Sequence, residues 1–293
     1  MADPRLRQKL ERGEFIVAPG VFDMISTMMV QRVGFDAVYA SGYWLTASYL
    51  GIPDAGIATY TEMLARVSKV VEKSDVPVIA DADTGFGGLL NVHHTVRGYE
   101  AAGVSAIQIE DQEFPKKCGH TPYRRVIPME DMVAKVKVAV DARSSRDFLV
   151  IARTDARGGL GFEEALRRGL AYKEAGADLV FVEALHSEDE MRRACAAIDA
   201  PMMANMSDGG KTPIRSAQEL ADFGYQLAIF PAMNALSACA AMERALRNLK
   251  ATGTSLAPDV PLFGFDDFCR MVGFEEVWAF EEKWKDVLQK KQA

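Results

Sequence analysis

The sequence predicts a (β/α)8 barrel on three observations: eight short, nearly continuous apolar runs, helix-patterned segments between them, and polar or charged residues gathered where the runs end. The runs are FIVAPG (15–20), AVYASG (37–42), PVIADAD (77–83), AIQIED (106–111), LVIARTD (149–155), LVFVEA (179–184), PMMANM (201–206) and LAIFPA (227–232). Each has the length of a strand buried on both faces, as in a parallel sheet covered by helices. They finish in Ser41-Gly42, Asp81 and Asp83, Glu110-Asp111, Arg153 and Asp155, Glu183, and Asn205. A barrel builds its site from the carboxyl ends of many strands, whereas an open doubly wound sheet gathers polar groups at one crevice.

The helical segments carry their own boundary signals. Thr59 with Glu62, and Ser216 with Glu219, are spaced as capping boxes. Gly34, Gly103, Gly176 and Gly224 each stand where a helix ends before the next strand. The barrel is expected over residues 1–250, and 251–293 as a linker with C-terminal helices. ATGTSLAPDVPLFGF is rich in turn residues, and the stretch after it reads as one or two amphipathic helices. Phe268, Val272, Val277, Trp278, Phe280 and Trp284 load that tail with apolar surface, which predicts packing on the barrel or on a neighbouring subunit.

Composition narrows the function classes. The chain has 293 residues, 49% of them hydrophobic and 26% charged, enough apolar surface to exclude disorder as the main state. Its 34 basic and 41 acidic side chains leave a formal charge of −7, which argues against a nucleic-acid surface. No run reaches the length of a membrane span, and MADPRLRQKLERGEF lacks the apolar core of a secretory signal, so a cytoplasmic protein is expected. The widely spaced Cys118, Cys195, Cys239 and Cys269 read as thiols rather than a disulfide frame. Cys195, Cys239 and Cys269 lie in helical contexts and are expected as small core residues.

The chemistry-bearing residues cluster in four motifs. In Asp81-Ala82-Asp83-Thr84-Gly85, two carboxylates leave an apolar strand for a glycine-rich loop. Residues two apart on a strand share a face, so the pair either repels or shares a divalent cation, Mg2+ or Mn2+ for hard oxygen ligands; the bland alternative is a cap or a turn. Glu110 adds a third carboxylate and Asp54, in the loop after the second strand, is either a fourth or a surface acid. Lys116-Lys117-Cys118-Gly119-His120 places a thiol among basic groups, either an acid–base residue or an incidental cysteine on a solvated loop. Arg153 ends an otherwise apolar strand, where it serves as a carboxylate clamp or pairs with Glu183 or Asp155. Asn205 and the following Ser207-Asp208-Gly209-Gly210 offer amide and hydroxyl groups, or only a turn, and Ser41-Gly42 offers backbone N–H groups.

Taken in order, DADTGFGG, IEDQEFPKKCGH, IARTDAR and NMSDGGKTP make the chain resemble the isocitrate lyase and phosphoenolpyruvate mutase superfamily, from APGVFD to FEEVWAFEEKW. The resemblance implies a barrel that binds Mg2+ and a 2-oxo or 2-hydroxy carboxylate, and a homotetramer with exchanged C-terminal helices. It implies Asp81 as direct metal ligand, with Asp54, Asp83 and Glu110 acting through water. Ser41, Gly42 and Arg153 then hold a pyruvate-like moiety, Glu183 and Asn205 are further pocket positions, and the KKCGH loop closes over the substrate. Many members carry a second glycine where this chain has Tyr43, which reshapes the pocket. NMSDGGKTP resembles the dimethylmalate lyase, petal death protein and carboxyphosphonoenolpyruvate mutase relatives more than methylisocitrate lyases.

The expectation is a Mg2+-dependent carbon–carbon lyase for a substituted malate-type acid, with Lys116, Cys118, His120 and Arg153 in catalytic roles. Its rivals are phosphorus transfer, oxaloacetate decarboxylation or hydrolysis, and a metal-free barrel that only binds.

Overall fold

The computed structural model describes residues 2–119, 121, 124–256 and 260–289. Eight parallel strands close on themselves: β1 (Ile16–Val21), β2 (Val38–Ala40), β3 (Val78–Asp81), β4 (Ala106–Glu110), β5 (Leu149–Thr154), β6 (Leu179–Val182), β7 (Met202–Asn205) and β8 (Leu227–Phe230). Closure is made by β1, which pairs Gly20 with Tyr39 of β2 and Ile16 with Leu227 of β8. Each expected run therefore forms a strand, and the barrel reading holds.

The helices run α1 (Arg5–Glu11), α2 (Met24–Val33), α3 (Gly42–Leu50), α4 (Tyr60–Glu72), α5 (Leu89–Ala101), α6 (Met129–Ala142), α7 (Arg157–Leu160), α8 (Phe162–Glu174), α9 (Glu188–Ala197), α10 (Ala217–Phe223), α11 (Met233–Thr252), α12 (Phe265–Met271) and α13 (Phe274–Gln289). Thr59 with Glu62 and Ser216 with Glu219 form full capping boxes on α4 and α10.

Strand alternation explains both cores and the site. Inward residues form one cluster: Ile16 and Ala18, Tyr39, Ile79, Ala106, Leu149 and Ile151, Leu179 and Phe181, Met203, and Leu227 and Ile229, with Leu6 of α1 packed among them. Outward residues such as Ala80, Ile107, Ile109, Val150 and Val180 pack under the helices. Continuing the inward register in steps of two toward the carboxyl ends reaches Asp81, Gln108 and then Glu110, Arg153, Glu183 and Asn205. The layer that closes the apolar interior is thus charged.

The same alternation turns Asp111, next to Glu110, away from the interior. Its carboxylate accepts from Tyr172 Oη at 2.7 Å, Thr154 Oγ1 at 2.7 Å and Arg168 Nη1 at 3.0 Å, and from the Asp155 backbone N–H at 2.8 Å. Removing one member of such a buried, charged set generally costs about 3–5 kcal/mol, because its partners stay buried. Asp111 therefore fixes the end of β5 to α8.

Two compact units are present, Met1–Leu236 and Ser237–Ala293, with the division inside α11. In the second unit Val272, Phe274, Val277, Trp278, Phe280 and Trp284 are all exposed, and Cys269 is buried. Cys239, on α11, is exposed and Cys195 half-buried, so the expected core role fails for the first. Among the described residues no helix is long and apolar enough to cross a membrane.

Candidate active site

The inward layer opens into a cavity of about 320 Å³ at the carboxyl ends of the strands. Its lining includes Ser41, Tyr43, Asp54, Asp81, Glu110, Lys116, Cys118, Arg153, Glu183, Asn205 and Ser207. Of the expected site residues that lie within the described structure, all but Gly42 and Asp83 border it; Gly42 packs against Asp81, and Asp83 is joined to Lys116 by an ion pair. His120 lies outside the described residues.

Local geometry places each group. Ser41 is the N-cap residue of α3, yet its side chain makes no cap hydrogen bond. Gly42 follows, and a Cβ there would stand 2.7 Å from Asp81 Oδ2, so only glycine lets the helix start approach this carboxylate. Asp81 Oδ1 accepts the Asp83 backbone N–H at 3.0 Å and Gln108 Nε2 at 3.4 Å. Gln108 in turn accepts from Tyr39 Oη at 2.8 Å.

The expected reason for pairing Asp81 with Asp83 is corrected. β3 ends at Asp81, and Asp83 sits in the turn beyond it with φ of 51°, so strand alternation does not orient it. The turn brings its carboxylate to Lys116, whose ammonium lies 2.7 Å from Asp83 Oδ1 and 2.5 Å from Asp54 Oδ1. Asp54 is consequently a buried partner rather than a surface acid. Lys116, expected beside the thiol, is directed at the acidic cluster. Burial opposes its charge, but Asp83, Glu110, Asp81 and Asp54 outweigh burial and hold the ammonium well above its usual pKa. Asp83 is pushed up to about 6 by burial, with Asp81 and Asp54 adding to the rise and Lys116 working against it.

Arg153 stands among three carboxylates. It donates to Asp155 through Nε at 2.8 Å and Nη2 at 2.9 Å, while Nη1 lies 3.3 Å from Glu110 Oε2 and Nη2 lies 3.2 Å from Glu183 Oε2. Burial disfavours its charge, and Asp155, Glu110 and Glu183 more than restore it. Burial likewise drives the Glu110 carboxyl well above the usual range, against the pull of Arg153. Glu183 is fixed by the Ala184 backbone N–H at 2.7 Å and by Asn205 Nδ2 at 3.1 Å.

The cysteine loop is seated on this layer. The Cys118 backbone N–H donates to Asp54 O at 3.3 Å, and Gln112 brackets Lys117 with hydrogen bonds to its N–H and C=O. At Gly119 a Cβ would fall 2.3 Å from Arg153 Nη2 and 2.9 Å from Glu183 Oε2. The glycine is required by this close approach to the arginine and its carboxylate neighbours.

The donor set suits a hard divalent cation. Its atoms are carboxylate oxygens, and Glu110 Oε1 is buried without a hydrogen-bond partner. Among the described residues no three His, Cys, Asp or Glu side chains converge at ligand distance. Lys116 separates Asp54 from Asp83 here, and a cation held by one direct carboxylate, with water bridging to the others, requires no such convergence.

Several lining residues escaped the sequence reading: Tyr39, Trp44, Thr121 and Pro231. Tyr39 was detectable, because Ala37, Tyr39 and Ser41 alternate toward the site. Trp44 was not, since it reaches the cavity from the first turn of α3, where it packs edge-on to Tyr43 with centroids 4.8 Å apart.

Comparison with known proteins agrees with this geometry. Residues 6–250 match the family model described as phosphoenolpyruvate phosphomutase. The chain is 46% identical to a 2,3-dimethylmalate lyase of Eubacterium barkeri, covering 96% of this chain and 97% of that protein. It is 42% identical to a 2-methylisocitrate lyase of Aeropyrum pernix, covering 97% and 91%. A crystal structure of 2,3-dimethylmalate lyase, described as a member of the phosphoenolpyruvate mutase/isocitrate lyase superfamily, superposes with a TM-score of 0.89 at 36% identity, covering 97% of this chain and 96% of that one.

Proposed function

The chain belongs to the phosphoenolpyruvate phosphomutase family of the isocitrate lyase superfamily, an enzyme family of lyases and mutases, and from that premise we propose that it is a Mg2+-dependent lyase cleaving 2,3-dimethylmalate to pyruvate and propionate. The observation that carries the reading is the seating of the Cys118 loop directly over Arg153 and Glu183, with the carboxylate cluster beneath it. A cavity of about 320 Å³ suits a small dicarboxylic acid.

Asp81 would hold the Mg2+ directly, with Asp54, Asp83 and Glu110 acting through water, and Mn2+ is the alternative ion. The bound cation supplies Lewis-acid polarisation of the substrate's 2-hydroxyl and adjacent carboxylate. Arg153, held in plane by Asp155, pairs with a substrate carboxylate, and Ser41 and Gly42 present N–H groups at the start of α3. A carboxylate of the acidic cluster takes the 2-hydroxyl proton, the O–H electron pair becomes the C=O of pyruvate, and the C2–C3 electron pair passes to the propionate fragment, whose charge is stabilised by the positive groups around it. Cys118 Sγ gives its proton to that carbon, completing propionate. The loop keeps water from the carbanion until then.

The test is a panel of 2,3-dimethylmalate, 2-methylisocitrate, oxaloacetate and phosphonopyruvate, with and without Mg2+, each product measured separately. Pyruvate plus propionate from dimethylmalate, only with metal, is the expected result. Turnover of phosphonopyruvate or oxaloacetate alone would instead assign the site to a mutase or hydrolase. The exposed apolar faces of α12 and α13 support assembly into a homotetramer with exchanged C-terminal helices. Light scattering is expected to give about four times the 32.1 kDa chain mass, and a monomer in solution removes that reading. The cysteines, which form no disulfide among the described residues, support a reducing, cytoplasmic setting.

A further inference from the structure

Arg124 has no part in the reaction just described, yet it is held as firmly as the residues that do. It lies on the return arm of the cysteine loop, whose base is closed by the antiparallel bridge between Gln112 and Val126 and by the Glu113 N–H donating to Arg125 O at 2.9 Å. Its side chain is buried to within 7% of full exclusion from solvent. Nε donates to Thr121 O at 3.1 Å, and Nη1 donates to Asp155 Oδ1 at 2.5 Å. Thr121 is itself tied to the thiol's residue: its N–H and Oγ1 both donate to Cys118 O, at 3.0 and 2.7 Å.

Asp155 therefore serves two cations. One is Arg153, gripped through two parallel hydrogen bonds; the other is Arg124. The carboxylate is fully buried, and the backbone of its residue is held by the Asp155 N–H donating to Asp111 Oδ1 at 2.8 Å. Burial alone would raise its pKa, but the two arginines outweigh burial and keep it below the usual range, charged for both. A second, independent feature is shaped to Arg124: a Cβ on Gly158 of α7 would fall 2.6 Å from Arg124 Nη2 and meet nothing else within 4 Å except Arg124 Cζ. Gly158 is helical and needs no special backbone freedom, so its missing side chain is explained by the guanidinium lying against it.

We propose that Arg124 is a positioning residue that couples the seating of the Cys118 loop to the orientation of Arg153 through their shared carboxylate, Asp155, with Gly158 as its cradle. The chain of contacts runs Cys118, Thr121, Arg124, Asp155, Arg153, joining the proton donor to the substrate clamp. A guanidinium is needed because one planar fork reaches Thr121 O and Asp155 together, which a lysine ammonium does not reproduce. The inference rests on the lyase reading for its catalytic consequence, but the contacts themselves do not.

Three single variants and one double variant test it. Arg124→Met is expected to lower kcat on dimethylmalate by about 10²-fold, the scale of an ångström-sized misplacement. The affinity for Mg2+ with oxalate should stay within about threefold, since Asp155 still grips Arg153. Hydrogen exchange should show the 112–119 segment losing protection even without ligand. Arg124→Lys should not rescue it. Gly158→Ala, which removes no charge, should weaken kcat in the same direction and add nothing in the Arg124→Met background, as one shared pathway requires. Additive effects of the two changes, or unaltered exchange in Arg124→Met, would overturn the proposal. Because exchange is read on the unliganded enzyme, a failure of the lyase assignment leaves that arm decisive.

Discussion

Cys118→Ser is expected to retain Mg2+ and oxalate binding while losing turnover of dimethylmalate by about 10²- to 10⁴-fold, the usual weight of a positioned general acid. The thiol's residue lines the cavity on a loop whose backbone is anchored to Asp54 O, so replacing sulfur by oxygen leaves that anchoring in place. What changes is the proton offered to the departing carbon. A serine hydroxyl is a much weaker acid than a thiol, and its shorter bond to Cβ moves the donor atom. Calorimetry with Mg2+ and oxalate, set beside initial rates, separates the two effects. Full activity in the serine variant removes the donor role from Cys118 and requires another group to supply the proton.

Asp81→Asn is expected to weaken Mg2+ binding by at least about 100-fold, with pyruvate and oxalate binding lost in parallel. The amide keeps the volume of the side chain and one oxygen able to accept the Asp83 N–H, so the turn after β3 survives. Only the charge beside Gly42 goes. A further consequence follows from the acidic cluster: Asp83, pushed up to about 6 by burial and by its neighbours Asp81 and Asp54, loses one of the charges that raise it. The same change removes one of the carboxylates that support the buried Lys116 ammonium, so the two effects on stability oppose each other, and thermal unfolding distinguishes a specific loss of binding from collapse. Metal affinity within threefold of the parent would exclude Asp81 as the direct ligand.

Much of this site was legible from the chain. The strand runs are apolar because both faces are buried, and charge on a doubly buried strand is tolerated only where it meets a cavity or a partner. Asp81, Glu110, Arg153, Glu183 and Asn205 occur where that condition is met, and the structure places them around one opening. Asp83 shows the limit of this argument. Its motif suggested a shared strand face, but the strand stops two residues earlier and a positive-φ turn directs the side chain. Lys116 shows another: its neighbours in sequence suggested a thiol environment, whereas its partners in space are Asp54 and Asp83.

Strand length, alternation and end-of-strand charge are local properties that a one-dimensional pattern records, so the barrel and the polar layer at its mouth were readable in the chain alone, while four ordered motifs carried the resemblance to the family. Only the tertiary structure decided which carboxylate meets which cation: that Lys116 bridges two acids, that Asp111 faces outward to Tyr172 and Arg168, and that Arg124 reaches Asp155 across 31 positions of chain. Such pairings arise when the closed sheet brings distant loops to a common rim. Coulomb attraction selects partners by distance in space, a quantity that spacing along the chain does not contain.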